Sequence, residues 1–187
     1  KIMELANHDL LTGLPNRVLF RDRLEQAIKA TKRGGPGVTV MIINLDRFKE
    51  VNDIMGHHVG DLLLQEIARR LQTIVQRDYD TVARLGGDEF AMLLSADVEG
   101  AQIVASNLLN AIDRPILLEG QEIIINASIG IACCPEHGDE INTLLRRADL
   151  AMYAAKHNNA GYVTFDPSLD QHSQQRLSLM AELRRAI

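Results

Sequence analysis

Apolar positions along this chain change period several times, and each change marks an element. From Asn16 to about Lys32, the residues Val18, Leu19, Leu24, Ala27 and Ile28 recur at helical spacing. Asn16 is placed to cap the first turn, and Gly34-Gly35-Pro36-Gly37 stops the helix. Residues 38–45 are a nearly unbroken β-branched and aliphatic run, which predicts a central strand buried on both faces. A polar stretch, 46–61, follows it. Residues 62–75 then predict a second amphipathic helix, with Leu63, Ile67, Leu71 and Ile74 along one face.

Further on, 81–85 and 90–94 read as short strands separated by Gly86-Gly87-Asp88-Glu89, the pattern of a β-hairpin. A helix over about 100–112 ends before Pro115. The region 122–134 predicts another strand, 140–157 a long helix and 162–165 a last short strand. This alternation predicts an α/β sandwich whose sheet of about five strands is covered on both faces. No internal repeat or low-complexity segment interrupts it.

Composition narrows the picture. The 187 residues suit one domain, and 46% hydrophobic with 24% charged residues is an ordinary globular balance. The net charge of −5 argues against a broad nucleic-acid-binding face, so a phosphate ligand must meet local positive charge. No apolar run reaches the ~18 to 20 residues of a membrane span, and no signal peptide opens the chain. The expected setting is the cytoplasm, or the cytoplasmic part of a larger sensor. Cys133 and Cys134 are adjacent in an apolar run and read as buried thiols. The start at Lys1 and the amphipathic segment 173–187 predict a module excised from something larger.

The chemistry concentrates at the hairpin turn. A lone Gly-Gly-Asp-Glu reads as a tight turn with solvated acids, but Asn44 and Asp46 stand at the end of the buried strand, where sheets form ligand crevices. A neighbouring hairpin would set Asp88 and Glu89 across one strand spacing from them. Clustered oxygens of this kind suit Mg²⁺, which prefers carboxylates plus substrate phosphates. Such a site serves phosphoryl or nucleotidyl transfer, and the two glycines let backbone approach a phosphate.

These blocks resemble the GGDEF family, the bacterial module that condenses two GTP molecules into cyclic di-GMP. Arg84 to Phe90 matches the name motif, and Asn44-Leu45-Asp46-Arg47-Phe48-Lys49-Glu50-Val51-Asn52-Asp53, with Gly56-His57 and Gly60-Asp61, matches a second signature. His8 to Arg17 resembles the opening wide turn, and Arg147-Ala148-Asp149, Met152-Tyr153 and Ala155-Lys156 the last helix. The family fold is similar to the polymerase palm and the class III nucleotide cyclases, with a central, mainly antiparallel sheet. The resemblance implies a domain over 1–168 and, over 169–187, a helix leading to an EAL phosphodiesterase domain.

It also implies roles. Asp88 and Glu89 are the catalytic pair; Asp88, Glu89, Asn44, Leu45 and Asp46 form the metal site for Mg²⁺ or Mn²⁺. Asn52 and Asp61 read the guanine edge, and His57 lies near base and ribose. Phe48, Lys49, Lys156, Gly86 and Gly87 complete the substrate contacts, the lysines neutralising the triphosphate. The implied partners are GTP, cyclic di-GMP, a second subunit for catalysis and an EAL domain in the same full-length chain, with no nucleic acid. Arg77 and Asp80 fit the family's R-x-x-D inhibitory product site.

Two departures bear on activity. Asn44 stands where the family usually has a metal-binding Asp, and Ala160 where it often has a phosphate-contacting Arg. Asp46, two residues past Asn44, is the candidate replacement for the missing carboxylate, and His157 for the phosphate contact at lower pH. A diguanylate cyclase is the leading expectation. The alternative is a catalytically weak domain that binds GTP or cyclic di-GMP and regulates an attached phosphodiesterase. A palm-type transferase acting on nucleic acid is a third reading, disfavoured by the net acidity and the guanine-reading pair.

Overall fold

A computed structural model describes residues 6–75, 80–172 and 174–175. Its elements run α1 (Arg17–Lys32), β1 (Val38–Leu45), α2 (Phe48–Met55), α3 (His57–Ile74), β2 (Thr81–Gly86), β3 (Glu89–Leu94), α4 (Val98–Ile112), β4 (Ile116–Leu118), β5 (Gln121–Ile123), β6 (Ala127–Cys134), α5 (Ile141–Asn158) and β7 (Tyr162–Thr164). Five strands form the main sheet in the order β2-β3-β1-β6-β7, and β4 pairs with β5 in a separate two-stranded ribbon. Every pairing in the main sheet is antiparallel except β6 with β7.

The uninterrupted apolar run of β1 follows from its central place, because each alternate side chain meets a different helical layer. Val40 and Ile42, with Ala91, Leu93 and Ala132, pack against Phe20 and Leu24 of α1 and Leu144 and Ala148 of α5. Met41, Ile43 and Leu45, with Phe90, Met92, Ile129 and Ile131, pack against Leu63, Ile67 and Leu71 of α3 and Ala105 and Leu108 of α4. Each fully buried Leu, Ile or Phe contributes about 1.5 to 3 kcal/mol of apolar transfer, so the two layers hold the sheet from both sides.

Asn16 caps α1 as its sequence position predicts, its side chain accepting from the amides of Val18 and Leu19. Two expectations are revised. The polar stretch 46–61 is mostly helical, comprising α2 and the first turn of α3. The 122–134 region is two strands: β5 belongs to the ribbon, and the chain enters the main sheet only at Ala127. At the far end of the sheet, Leu169 packs on the α1/α5 layer and the Asp170 carboxylate pairs with Arg146. The remainder of the expected C-terminal helix, 176–187, lies outside the described residues. Among the described residues no helix is long and apolar enough to cross a membrane.

Candidate nucleotide site

The site begins where β1 runs out. Asn44 faces Glu89 on β3 and Ser128 on β6, so the three side chains share the sheet face that α1 and α5 cover. β1 ends at Leu45, which is fully buried and whose amide donates to the Asp88 carbonyl at 3.1 Å. That bond fixes the hairpin turn against the strand end. Asp46 lies in the turn beyond, yet its carboxylate returns to the same end, accepting from the Ser128 hydroxyl at 2.9 Å. From α5 the Lys156 ammonium donates to the Asn44 side-chain oxygen at 2.7 Å. Asn44, Asp46, Asp88, Glu89 and Lys156 are thus gathered at one sheet end.

The turn itself needs its glycines, since Gly86 and Gly87 have φ of 138° and 52°. Two guanidinium groups hold its carbonyls. Arg84 donates to the Gly87 carbonyl through Nε and Nη2 at 3.1 and 2.8 Å, and Arg17 reaches the Leu85 carbonyl at 3.4 Å. Burial raises the Glu89 carboxyl above its ordinary range, the nearby Asp149 and Asp88 carboxylates add to this, and Arg17 opposes it. Arg17, Asp149 and Ser128 were not singled out from the sequence as site residues, because the first two arrive on α1 and α5 and the third on β6, and no spacing along the chain shows that.

To one side, α2 packs against α3. The Asn52 side-chain oxygen is buried there with no hydrogen-bond partner. Gly60 makes room for it: a Cβ at Gly60 would sit 1.8 Å from that oxygen and 3.3 Å from the Phe48 ring. A glycine inside a helical pattern was the signal for this contact. Phe48, first residue of α2, is buried and braces the contact, whereas His57 and Asp61 on the first turns of α3 are exposed, as is Lys49. Arg47 enters α2 in a left-handed conformation, φ 59°, and no side chain caps the helix. Arg47 and Lys156 line one cavity of about 730 Å³ with Asp46, Glu50 and Asn159.

Among the described residues no three His, Cys, Asp or Glu side chains come together as a metal-binding group. The Asn44 oxygen is neutral and already receives an ammonium. Mg²⁺ is held by one or two carboxylates together with substrate phosphates, so with Asn44 in place of an acid and given to Lys156, these side chains do not by themselves assemble a site for the ion. Away from the site, Asp80 accepts from the Ser95 amide at 3.0 Å and lines a cavity of about 600 Å³ with Arg114. Its expected partner Arg77 lies outside the described residues. His157 stacks on Tyr153, with ring centroids 5.9 Å apart.

A glycine turn at a sheet end, with carboxylates, an amide and a lysine gathered beside it, marks a candidate ligand site on an α/β domain. The family model described as "Diguanylate cyclase, GGDEF domain" matches residues 6–161, and the chain belongs to that family. It is 45% identical over its whole length to the bifunctional diguanylate cyclase/cyclic di-GMP phosphodiesterase MucR of Pseudomonas aeruginosa, of which it spans 27%. It is 37% identical to the cyclic di-GMP phosphodiesterase NbdA of the same organism, spanning 24% of it. The chain therefore covers about a quarter of these relatives. Among solved structures, the isolated GGDEF domain of TpbB (or YfiN) from P. aeruginosa superposes with a TM-score of 0.84 at 41% identity, covering 89% of this chain and 99% of that one. The GGDEF domain of DgcB from Caulobacter crescentus, in complex with c-di-GMP, gives a TM-score of 0.78 at 26% identity, covering 85% and 93%.

Proposed function

We propose that this domain binds GTP between α2 and α3 and joins two such molecules into cyclic di-GMP, each of two subunits presenting one. The buried, unpartnered oxygen of Asn52 carries this reading, because a buried polar atom left unsatisfied costs about 1 to 3 kcal/mol unless a ligand completes it. An amide and the Asp61 carboxylate together match the donors and acceptor of the guanine edge, and adenine reverses that pattern. His57 lies beside base and ribose. The uncapped entry of α2, with Lys49 and Lys156, receives the phosphates. Asp88 takes the proton of the ribose 3′-hydroxyl as that hydroxyl oxygen bonds to the partner nucleotide's α-phosphorus; the bond to the leaving pyrophosphate breaks, Lys49 and Lys156 offset the charge it carries away, and Glu89 would support a metal ion beside Asp88. The chemistry needs two sites to meet, which makes a two-fold dimer the working form. Product inhibition through Arg77 and Asp80 belongs to the same reading.

The test is direct. The nucleotide-stripped domain is given GTP with Mg²⁺ at high protein concentration, and cyclic di-GMP and pyrophosphate are assayed by chromatography. Product that disappears in Asp88→Ala supports the cyclase. Absence of product from the native chain at a concentration where it dimerises rejects it.

A second reading has its own observation. The neutral contact between Asn44 and Lys156 weakens the case for catalysis and favours a GTP-binding module that regulates an attached phosphodiesterase. Product from Asn44→Asp alone would select that reading for the native chain.

A further inference from the structure

Asn44 is both the unusual residue of the strand end and the residue that holds Lys156. An amide oxygen carries no net charge, so the 2.7 Å contact orients the ammonium without neutralising it. A carboxylate in the same place would pair with Lys156 and cancel most of the positive charge it offers an incoming anion. The other charged groups in the cavity are of both signs. Arg47 contributes a second cation and stands at the helix entry whose amides no side chain caps. Of the acids there, Asp46 is tied to β6 through Ser128, with its backbone amide held by the Asn126 carbonyl at 2.8 Å. Glu50 lies on the outer wall and is exposed. The phosphate end of the site therefore sets Lys156, Arg47 and the α2 amides beside the Asp46 and Glu50 carboxylates, and Asn44 keeps a further carboxylate from pairing with Lys156.

We infer that this domain holds the phosphates of its guanine nucleotide on Lys156 and the α2 entry without needing a divalent cation, and that Asn44 sets this property. The inference rests on the GTP-binding reading above and concerns what that binding requires. With a carboxylate at position 44, a divalent cation is needed to bring phosphate and protein together. With Asn44, Lys156 meets the phosphate directly. The domain would then take up guanine nucleotide irrespective of the supply of divalent cation, a property suited to sensing the nucleotide.

The experiment is calorimetric titration of the chelator-treated chain with an α,β-methylene analogue of GTP, which resists turnover, in excess EDTA and in saturating Mg²⁺. The native chain is expected to bind in EDTA within about threefold of its Kd in Mg²⁺. Asn44→Asp is expected to weaken by about tenfold or more in EDTA and to recover in Mg²⁺; Lys156→Gln loses the metal-free binding without that recovery. Circular dichroism checks that each variant is folded. Native binding seen only with Mg²⁺, or an Asn44→Asp variant that binds equally well in EDTA, overturns the inference and leaves the GTP-binding reading standing. Absence of binding under both conditions by the folded native chain rejects the GTP-binding reading itself.

Discussion

Arg84 and Asp9, 75 residues apart in the chain, meet through both carboxylate oxygens at 3.0 and 3.1 Å. The same guanidinium holds the Gly87 carbonyl, and the same carboxylate accepts from the Thr12 amide and hydroxyl. One ion pair thus fastens the opening turn of the chain to the glycine turn of the site. Both side chains are mostly buried, 12% and 19% exposed, so leaving either without its partner is costly. Asp9→Asn is expected to lower stability by about 2 kcal/mol in urea denaturation, and Arg84→Lys is expected to behave similarly because a point charge cannot replace the fork.

Gly60→Ala separates binding from stability. The added methyl would occupy the place of the Asn52 oxygen, which lies 1.8 Å from it, while the helix itself gains about 1 kcal/mol from alanine. Affinity for GTP is expected to fall by about tenfold or more in calorimetry, with a change in unfolding free energy below about 1 kcal/mol.

Gly130→Ala is expected to do the reverse and act on the fold. A Cβ there would meet backbone atoms of α5, the Ala148 carbonyl at 1.9 Å and the Met152 nitrogen at 2.1 Å. A rotamer change cannot relieve a clash with main chain, so the helix must lift from the sheet. A loss of about 3 kcal/mol or more in denaturant unfolding is expected.

Glu66 gives stability a pH dependence. Chiefly through its bond to Arg69, with Arg70 assisting and burial opposing, its carboxyl is lowered from 4.5 to about 2. Arg70 in turn donates to the carbonyls of Ala111, Arg114 and Pro115, fastening α3 to the end of α4. Because the folded pKa is depressed, the stabilisation is complete above about pH 4.5 and is lost as pH falls toward 2. Glu66→Gln is expected to cost on the order of 2 kcal/mol at neutral pH, discounted for the exposure of Arg69. Thermal melts across acidic pH should show the two proteins converging.

The parts of the fold legible in the sequence were those whose burial pattern is unambiguous. β1 is apolar at nearly every position because it is central, and the hairpin is announced by two glycines between apolar runs. α2 was missed although Phe48, Val51 and Met55 recur at helical spacing, because it is only eight residues long and starts from a left-handed Arg47 without a capping side chain. The β4–β5 ribbon was hidden for another reason: each of its strands has three residues, too few for a period to show. In the site, the motif residues gather at the strand end as their order along the chain suggested. The contacts that define its charge, Lys156 on Asn44 and Ser128 on Asp46, depend on where α5 and β6 settle, and one-dimensional spacing carries no information on that.

The seating of α5 on Gly130 has a mechanical consequence. At Gly130 the sheet meets α5 backbone to backbone, so at that point the helix has no side chain to yield, and Lys156 one turn on keeps its place beside Asn44. Any closing over a nucleotide then falls to the opposite wall, where α2 and α3 meet at Gly56 with a φ of 87°. If a ligand is taken up there, substitutions at Gly56 should alter how fast it enters and leaves, while those at Gly130 should alter the wall it rests against.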